Sequence, residues 1–98
     1  MPKSKPQAEL SANAWNDLRR LPGSIRRRIT IEINRLEDNP RPSNSKRLSF
    51  ENEAREVRRV RIEQWRIVYW IREGQPVIVA IRKRPPYNYE NIAALLGE

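Results

Sequence analysis

The sequence predicts an α+β fold: a two-helix hairpin packed on a small antiparallel sheet, with a short C-terminal helix. Three observations carry this reading. Apolar residues recur at steps of three and four up to Leu36, and at steps of two from Lys46 onward. Pro22-Gly23 interrupts the helical half once, which makes two helices of it. The length of 98 residues supports one modest core and no second domain.

Residues 1–7 read as a flexible polar leader, and Ala8 to Leu10 as a short edge strand. Ser11 is placed to cap a first helix with Ala14, Trp15, Leu18 and Leu21 at helical spacing. Ser24 then caps a second helix, where Ile25, Ile29, Ile33 and Leu36 draw one stripe and Arg26, Arg27, Arg28 and Arg35 stand off it. That helix ends before Asn39-Pro40, because a proline forces the residue ahead of it out of the helical region. A loop rich in Pro, Asn and Ser follows to Ser45.

Leu48 and Phe50 mark a short strand, and Glu51 to Ala54 a turn. Val57 to Ile62 is the next strand, with Val60 and Ile62 on one side and Arg59 and Arg61 on the other. Trp65 to Arg72 alternates most clearly. Glu73-Gly74-Gln75 forms a tight turn, and Pro76 to Arg82 is a nearly continuous apolar run that fits a strand buried on both sides until Pro85-Pro86 stops it. In the tail, Ile92, Leu95 and Leu96 fit a short amphipathic helix over Tyr89 to Leu96.

Composition narrows the chemistry. Apolar residues at 38% and charged residues at 33% are compatible with a folded but marginal domain. The chain has no Cys and no His, which removes disulfides, thiolate and imidazole metal sites, and the common neutral-pH general base. It has no Gly-rich phosphate loop, nucleophile elbow or carboxylate cluster, so nucleotide hydrolysis and metal-dependent hydrolysis are poorly supported. No secretory signal and no membrane-length apolar run are present, so a cytoplasmic location is expected, with no membrane partner.

The net charge is +8, and 16 of the 20 cations are Arg. Guanidinium suits bidentate contact with phosphate and stacking on bases, which points toward nucleic acid. The charge sits mainly in the sheet half, where residues 55–84 carry nine cations against three carboxylates. Arg59 and Arg61 leave one strand face about 7 Å apart, close to the separation of successive phosphates. A solvated sheet face explains the same spacing equally well. Arg66 lies inside a hydrophobic run, where a cation is costly unless paired or aimed into a polar site. Arg82, Lys83 and Arg84 cluster ahead of Tyr87 and Tyr89, an interleaving that suits phosphate binding and base stacking. The two tyrosines serve equally as anchors for the tail helix. Trp15, Trp65 and Trp70 read as core or interface residues.

If such a surface acts on RNA, a metal-free route is open to it. The ribose 2′-hydroxyl attacks its own phosphodiester while guanidinium groups stabilise the charge growing on the phosphorane. The proton acceptor is then Tyr87, Tyr89 or Lys83, each requiring a pKa depressed by neighbouring cations.

Several stretches together resemble the RelE/ParE superfamily of type II toxin–antitoxin toxins, on its RelE-like side. They are Leu18-Arg19-Arg20-Leu21-Pro22, Leu36-Glu37-Asp38-Asn39-Pro40, the run from Arg59 to Tyr69, and Arg82-Lys83-Arg84-Pro85-Pro86-Tyr87. The resemblance covers about residues 8–90 and implies a microbial-RNase-like fold, with residues 1–98 forming one toxin domain. For RelE-like members it also implies an endoribonuclease that cuts mRNA in the ribosomal A site, needs no cofactor, and is held in check by a cognate antitoxin.

Carried over by residue, the resemblance gives Arg59, Arg61, Arg66 and Arg84 the roles of phosphate orientation and charge stabilisation. Tyr87 takes the catalytic tyrosine position, with Tyr89 an alternative because Pro85-Pro86 shifts the spacing. Arg58, Arg82, Lys83 and Tyr89 are the expected RNA contacts. Glu63 stands where many members have Gly, Trp65 where Tyr is usual, and both paired basic positions are Arg, which cannot act as a base. Two other classes stay open, a ParE-like inhibitor of DNA gyrase that cuts nothing and a noncatalytic RNA-binding module.

Overall fold

The computed structural model describes residues 8–49, 52–83 and Leu96. Helix α1 (Ala12–Arg19) starts at Ser11, whose Oγ accepts the Ala14 N–H at 3.1 Å. Ala14 and Leu18 bury one face of it, with Leu21 just beyond. Trp15 departs from its expected place in that stripe and is 52% exposed, because one residue turns the side chain about 100° around the helix.

Helix α2 (Gly23–Asp38) is capped by Pro22, two residues earlier than the Ser24 cap expected from sequence. The Pro22 carbonyl already accepts the Arg26 N–H at 2.8 Å, so Ser24 lies inside the first turn. Arg26 also donates from Nη2 to the Leu21 carbonyl at 3.0 Å, covering a group that the end of α1 leaves open. Ile29, Ile33 and Leu36 are buried, as their spacing requires, and α2 stops at Asp38 ahead of extended Asn39.

Five strands form one sheet in the order β1-β5-β4-β3-β2. They are β1 (Glu9–Leu10), β2 (Ser45–Leu48), β3 (Val57–Ile62), β4 (Trp65–Arg72) and β5 (Gln75–Lys83). Strands β2 to β5 are the expected antiparallel meander, whereas β1 runs parallel to β5 at the edge. Glu73 and Gly74 have φ of +52° and +80°, the left-handed pair that closes a two-residue hairpin with the natural strand twist. Phe50 and Glu51 lie outside the described residues, as do 1–7 and the expected tail helix except Leu96, which is helical and buried.

One irregularity matters for function. Val68 pairs with Ala80 and the next residue, Tyr69, with Ile78, so Val79 is an extra residue in β5. Such a bulge re-phases the side chains beyond it. Ile78 and Ile81 consequently both join the helix-side core with Val60, Ile67, Ile29 and Leu36. On the far side, Leu48, Val57, Val68, Val79, Ala80 and Leu96 form a second, smaller apolar cluster.

Candidate nucleic-acid interface

Alternation in β3 and β4 sends Val60, Ile62, Ile67 and Tyr69 to the helices. The residues between them, Arg59, Arg61, Arg66 and Val68, take the opposite face. In register, Arg61 is paired with Arg66 and Arg66 with Arg82. Beyond the bulge Arg82 shares the far face, so three guanidinium-bearing residues form one row across three strands. Directly opposed Cβ atoms in an antiparallel pair lie about 5 Å apart. Lys46 pairs with Arg59, which places two further cations beside that row.

Like charges set directly opposite each other destabilise a sheet. Here one of them, Arg66, is only 6% exposed and is the one buried charged residue among the described residues. The site is therefore built against its own electrostatics, an arrangement that an anion bound across the row would relieve.

Nearby carboxylates are largely directed elsewhere. Glu63, in the β3–β4 turn, pairs with Arg28 of α2. Glu56 takes a two-pronged contact from Arg41 at 2.8 Å and another from Arg58 at 3.0 Å. Arg59 and Arg61 make no ion pair or side-chain hydrogen bond with any described residue. Asp17 reaches the row, its Oδ2 accepting from the Ile81 N–H at 3.0 Å and from Arg82 Nε at 3.1 Å.

The structure thus brings together Arg59, Arg61, Arg66 and Arg82. Arg58 stands apart. It belongs to the helix-side face opposite Tyr69, with Nε on Ser45 Oγ at 3.0 Å. Lys83 pairs in register with Trp65, also on the helix side. Arg84, Tyr87 and Tyr89 lie outside the described residues. The Tyr69 hydroxyl donates to the Pro40 carbonyl at 2.6 Å, and burial pushes its pKa up, so it is a structural phenol. At the other end of the far face Trp70 lies between Arg55 and Arg72, 5.3 and 5.8 Å from the ring centre. Those two cations are tied to Glu53 and Glu9.

Two members of the site were not singled out in sequence. Lys46 carried no signal, being one cation in a short edge strand. Asp17 carried one: it is the sole carboxylate of α1 and interrupts the Ala14, Leu18, Leu21 stripe, three residues after Ala14.

Residues 8–85 match the family model described as the ParE toxin of type II toxin–antitoxin systems, parDE. No curated protein matches the chain in sequence. The fold is similar to RelE in the archaeal RelE–RelB complex from Pyrococcus horikoshii OT3, with a TM-score of 0.71 and 18% identity over 85% of this chain and 99% of that one. It is similar to the Mycobacterium tuberculosis toxin–antitoxin complex RelBE2, with a TM-score of 0.69 and 23% identity over 86% and 98%. The isolated E. coli RelE toxin gives a TM-score of 0.68 at 12% identity over 95% and 99%. With two helices on a mostly antiparallel five-stranded sheet and a family match over most of its length, this chain belongs to the RelE/ParE superfamily and is a toxin of a type II toxin–antitoxin system.

Proposed function

We propose that this toxin is an endoribonuclease that cleaves mRNA on the ribosome without a metal ion, and that a cognate antitoxin holds it in check. The observation that supports this reading most is the row Arg61, Arg66, Arg82, with Arg59 beside it, on a sheet face where most local carboxylates point away. A phosphodiester laid along it meets donors from three strands of one rigid sheet. Rigidity matters because guanidinium groups fixed in advance stabilise developing charge without reorganising during the reaction.

In the proposed reaction the ribose 2′-oxygen forms a bond to phosphorus and the bond to the 5′-oxygen breaks, leaving a 2′,3′-cyclic phosphate. Arg61 and Arg66 stabilise the extra charge on the phosphorane, Arg59 and Arg82 orient the strand, and Arg84 adds to the same charge. The 2′-proton goes to a tyrosinate, Tyr87 by its place in the motif or Tyr89 next to it, and the leaving 5′-oxygen takes its proton from solvent water. Concentrated positive charge favours the phenolate form that this role requires. The antitoxin is expected because the similar RelE chains from Pyrococcus horikoshii and Mycobacterium tuberculosis occur in complexes with antitoxins.

A second reading, inhibition of DNA gyrase without cleavage, is favoured by the description of the matching family model as ParE. One experiment separates the two. The purified protein is added to a translation reaction and the message is mapped by primer extension, in parallel with a gyrase supercoiling assay. Codon-positioned cuts that fall about 10²- to 10³-fold in rate with Arg61→Ala support the nuclease. Gyrase-dependent DNA breaks without RNA cuts overturn it.

A further inference from the structure

We infer that Asp17 is a positioning residue for cleavage, a carboxylate that holds the β5 bulge and aims the Arg82 guanidinium along the far face. This rests on the nuclease reading above. Strand β1 covers the edge of β5 only opposite Val77 and Ile78, so from Val79 onward that edge has no strand neighbour among the described residues. The start of α1 takes over. The Ser11 N–H donates to the Ile78 carbonyl at 3.0 Å, Ser11 Oγ approaches the Val79 carbonyl at 3.4 Å, and Asp17 Oδ2 accepts the Ile81 N–H at 3.0 Å. These contacts bracket the extra residue, Val79, and fix the phase of the strand beyond it.

The same Asp17 oxygen accepts from Arg82 Nε at 3.1 Å. Holding a guanidinium at Nε orients its plane and leaves the Nη groups, with two N–H donors each, beyond the contact for a phosphate. The carboxylate also offsets the repulsion between Arg82 and Arg66, which the register sets opposite each other. Asp17 is thus a negative charge that holds the Arg82 end of the row ready. Its side chain is 16% exposed against 37% for Arg82, so the anchor is inside and the donor outside.

Asp17→Asn tests this, because an amide oxygen still accepts the Ile81 N–H while the negative charge facing Arg82 is lost. Single-turnover cleavage of ribosome-bound message is expected to slow at least 10-fold, with the half-saturating toxin concentration changed less than 3-fold and the thermal midpoint nearly unchanged. Asp17→Glu should recover part of the rate. In the double variant with Arg82→Ala, the Asp17 change should add nothing to the loss from Arg82→Ala alone. The ¹⁵N-labelled protein supplies a readout independent of activity, a slowly exchanging Arg82 Nε–H signal that Asp17→Asn broadens or shifts. A wild-type rate in Asp17→Asn, or multiplicative losses in the double variant, overturns the inference and leaves the nuclease intact. A wild-type protein that cuts no RNA overturns both readings.

Discussion

The two faces of this sheet are made from the same three strands, one residue apart, and they are opposites. On the helix side the row Val60, Ile67, Ile81 is aliphatic, paired in register and almost wholly hidden from water. On the far side the adjacent row is Arg61, Arg66, Arg82. One row supplies cohesion, since each fully buried aliphatic side chain stabilises by roughly 1.5–3 kcal/mol. The other opposes it. The division shows how a 98-residue chain supports a self-repelling surface: the apolar rows behind it set the register, and a slip of one residue would exchange every side chain between the faces.

The contrast can be broken most strongly from the helix side. Ile67→Ala, at a position with no exposure, is expected to cost about 3 kcal/mol of folding free energy in urea titration. A loss below about 1 kcal/mol would mean that this row does not hold the sheet. From the other side, Arg66→Met keeps an unbranched side chain and removes the central charge. Cleavage should fall about 10²- to 10³-fold in a protein that still folds, read as toxicity and as a cooperative thermal transition. A protein that unfolds instead would make Arg66 part of the cohesive half.

Acid sharpens the comparison at a smaller scale. The hydrogen bond from Arg41, followed by that from Arg58, holds the Glu56 carboxyl below its ordinary value. Stability from this group is therefore present above the unfolded-state pKa, about 4.3, and is lost as pH falls through the lower folded value. Glu56→Gln should flatten the decline in urea midpoint between about pH 5 and pH 2, and an unaltered decline would place the acid sensitivity elsewhere. The smallest change is at the hairpin. Glu73 adopts φ of +52°, a region that Asn populates more readily than Glu, so Glu73→Asn should stabilise by about 0.5 kcal/mol with cleavage unaltered.

Most of the fold was legible because its signals are local. Ser11, Pro22-Gly23 and Asn39-Pro40 punctuate the helices, and the alternation from Val57 to Arg72 gives two strands with the bounds observed. The parallel pairing of β1 was not legible, since two residues have no periodicity to read. Half of the site was visible as well: Arg59 and Arg61 share a face by counting, and Arg66 stands out as a cation in an apolar run. The place of Arg82 was beyond counting. Strict alternation from Ile78 would have turned it toward the helices, and only the extra residue at Val79 brings it beside Arg66. Asp17 was missed for a related reason, because its partners lie 64 and 65 residues away.

The pairing of Glu9 and Leu10 with Val77 and Ile78 joins the first strand to the last. A nascent chain adds roughly 5–20 residues per second, and pairings between distant segments form late. The edge contacts that fix the bulge have no partners until residues 78–82 have left the exit tunnel. Nor can the guanidinium of Arg82 take its position before then. The bulge and the guanidinium row are thus completed only once β5 joins the elements made before it, so this corner of the fold is set late in synthesis.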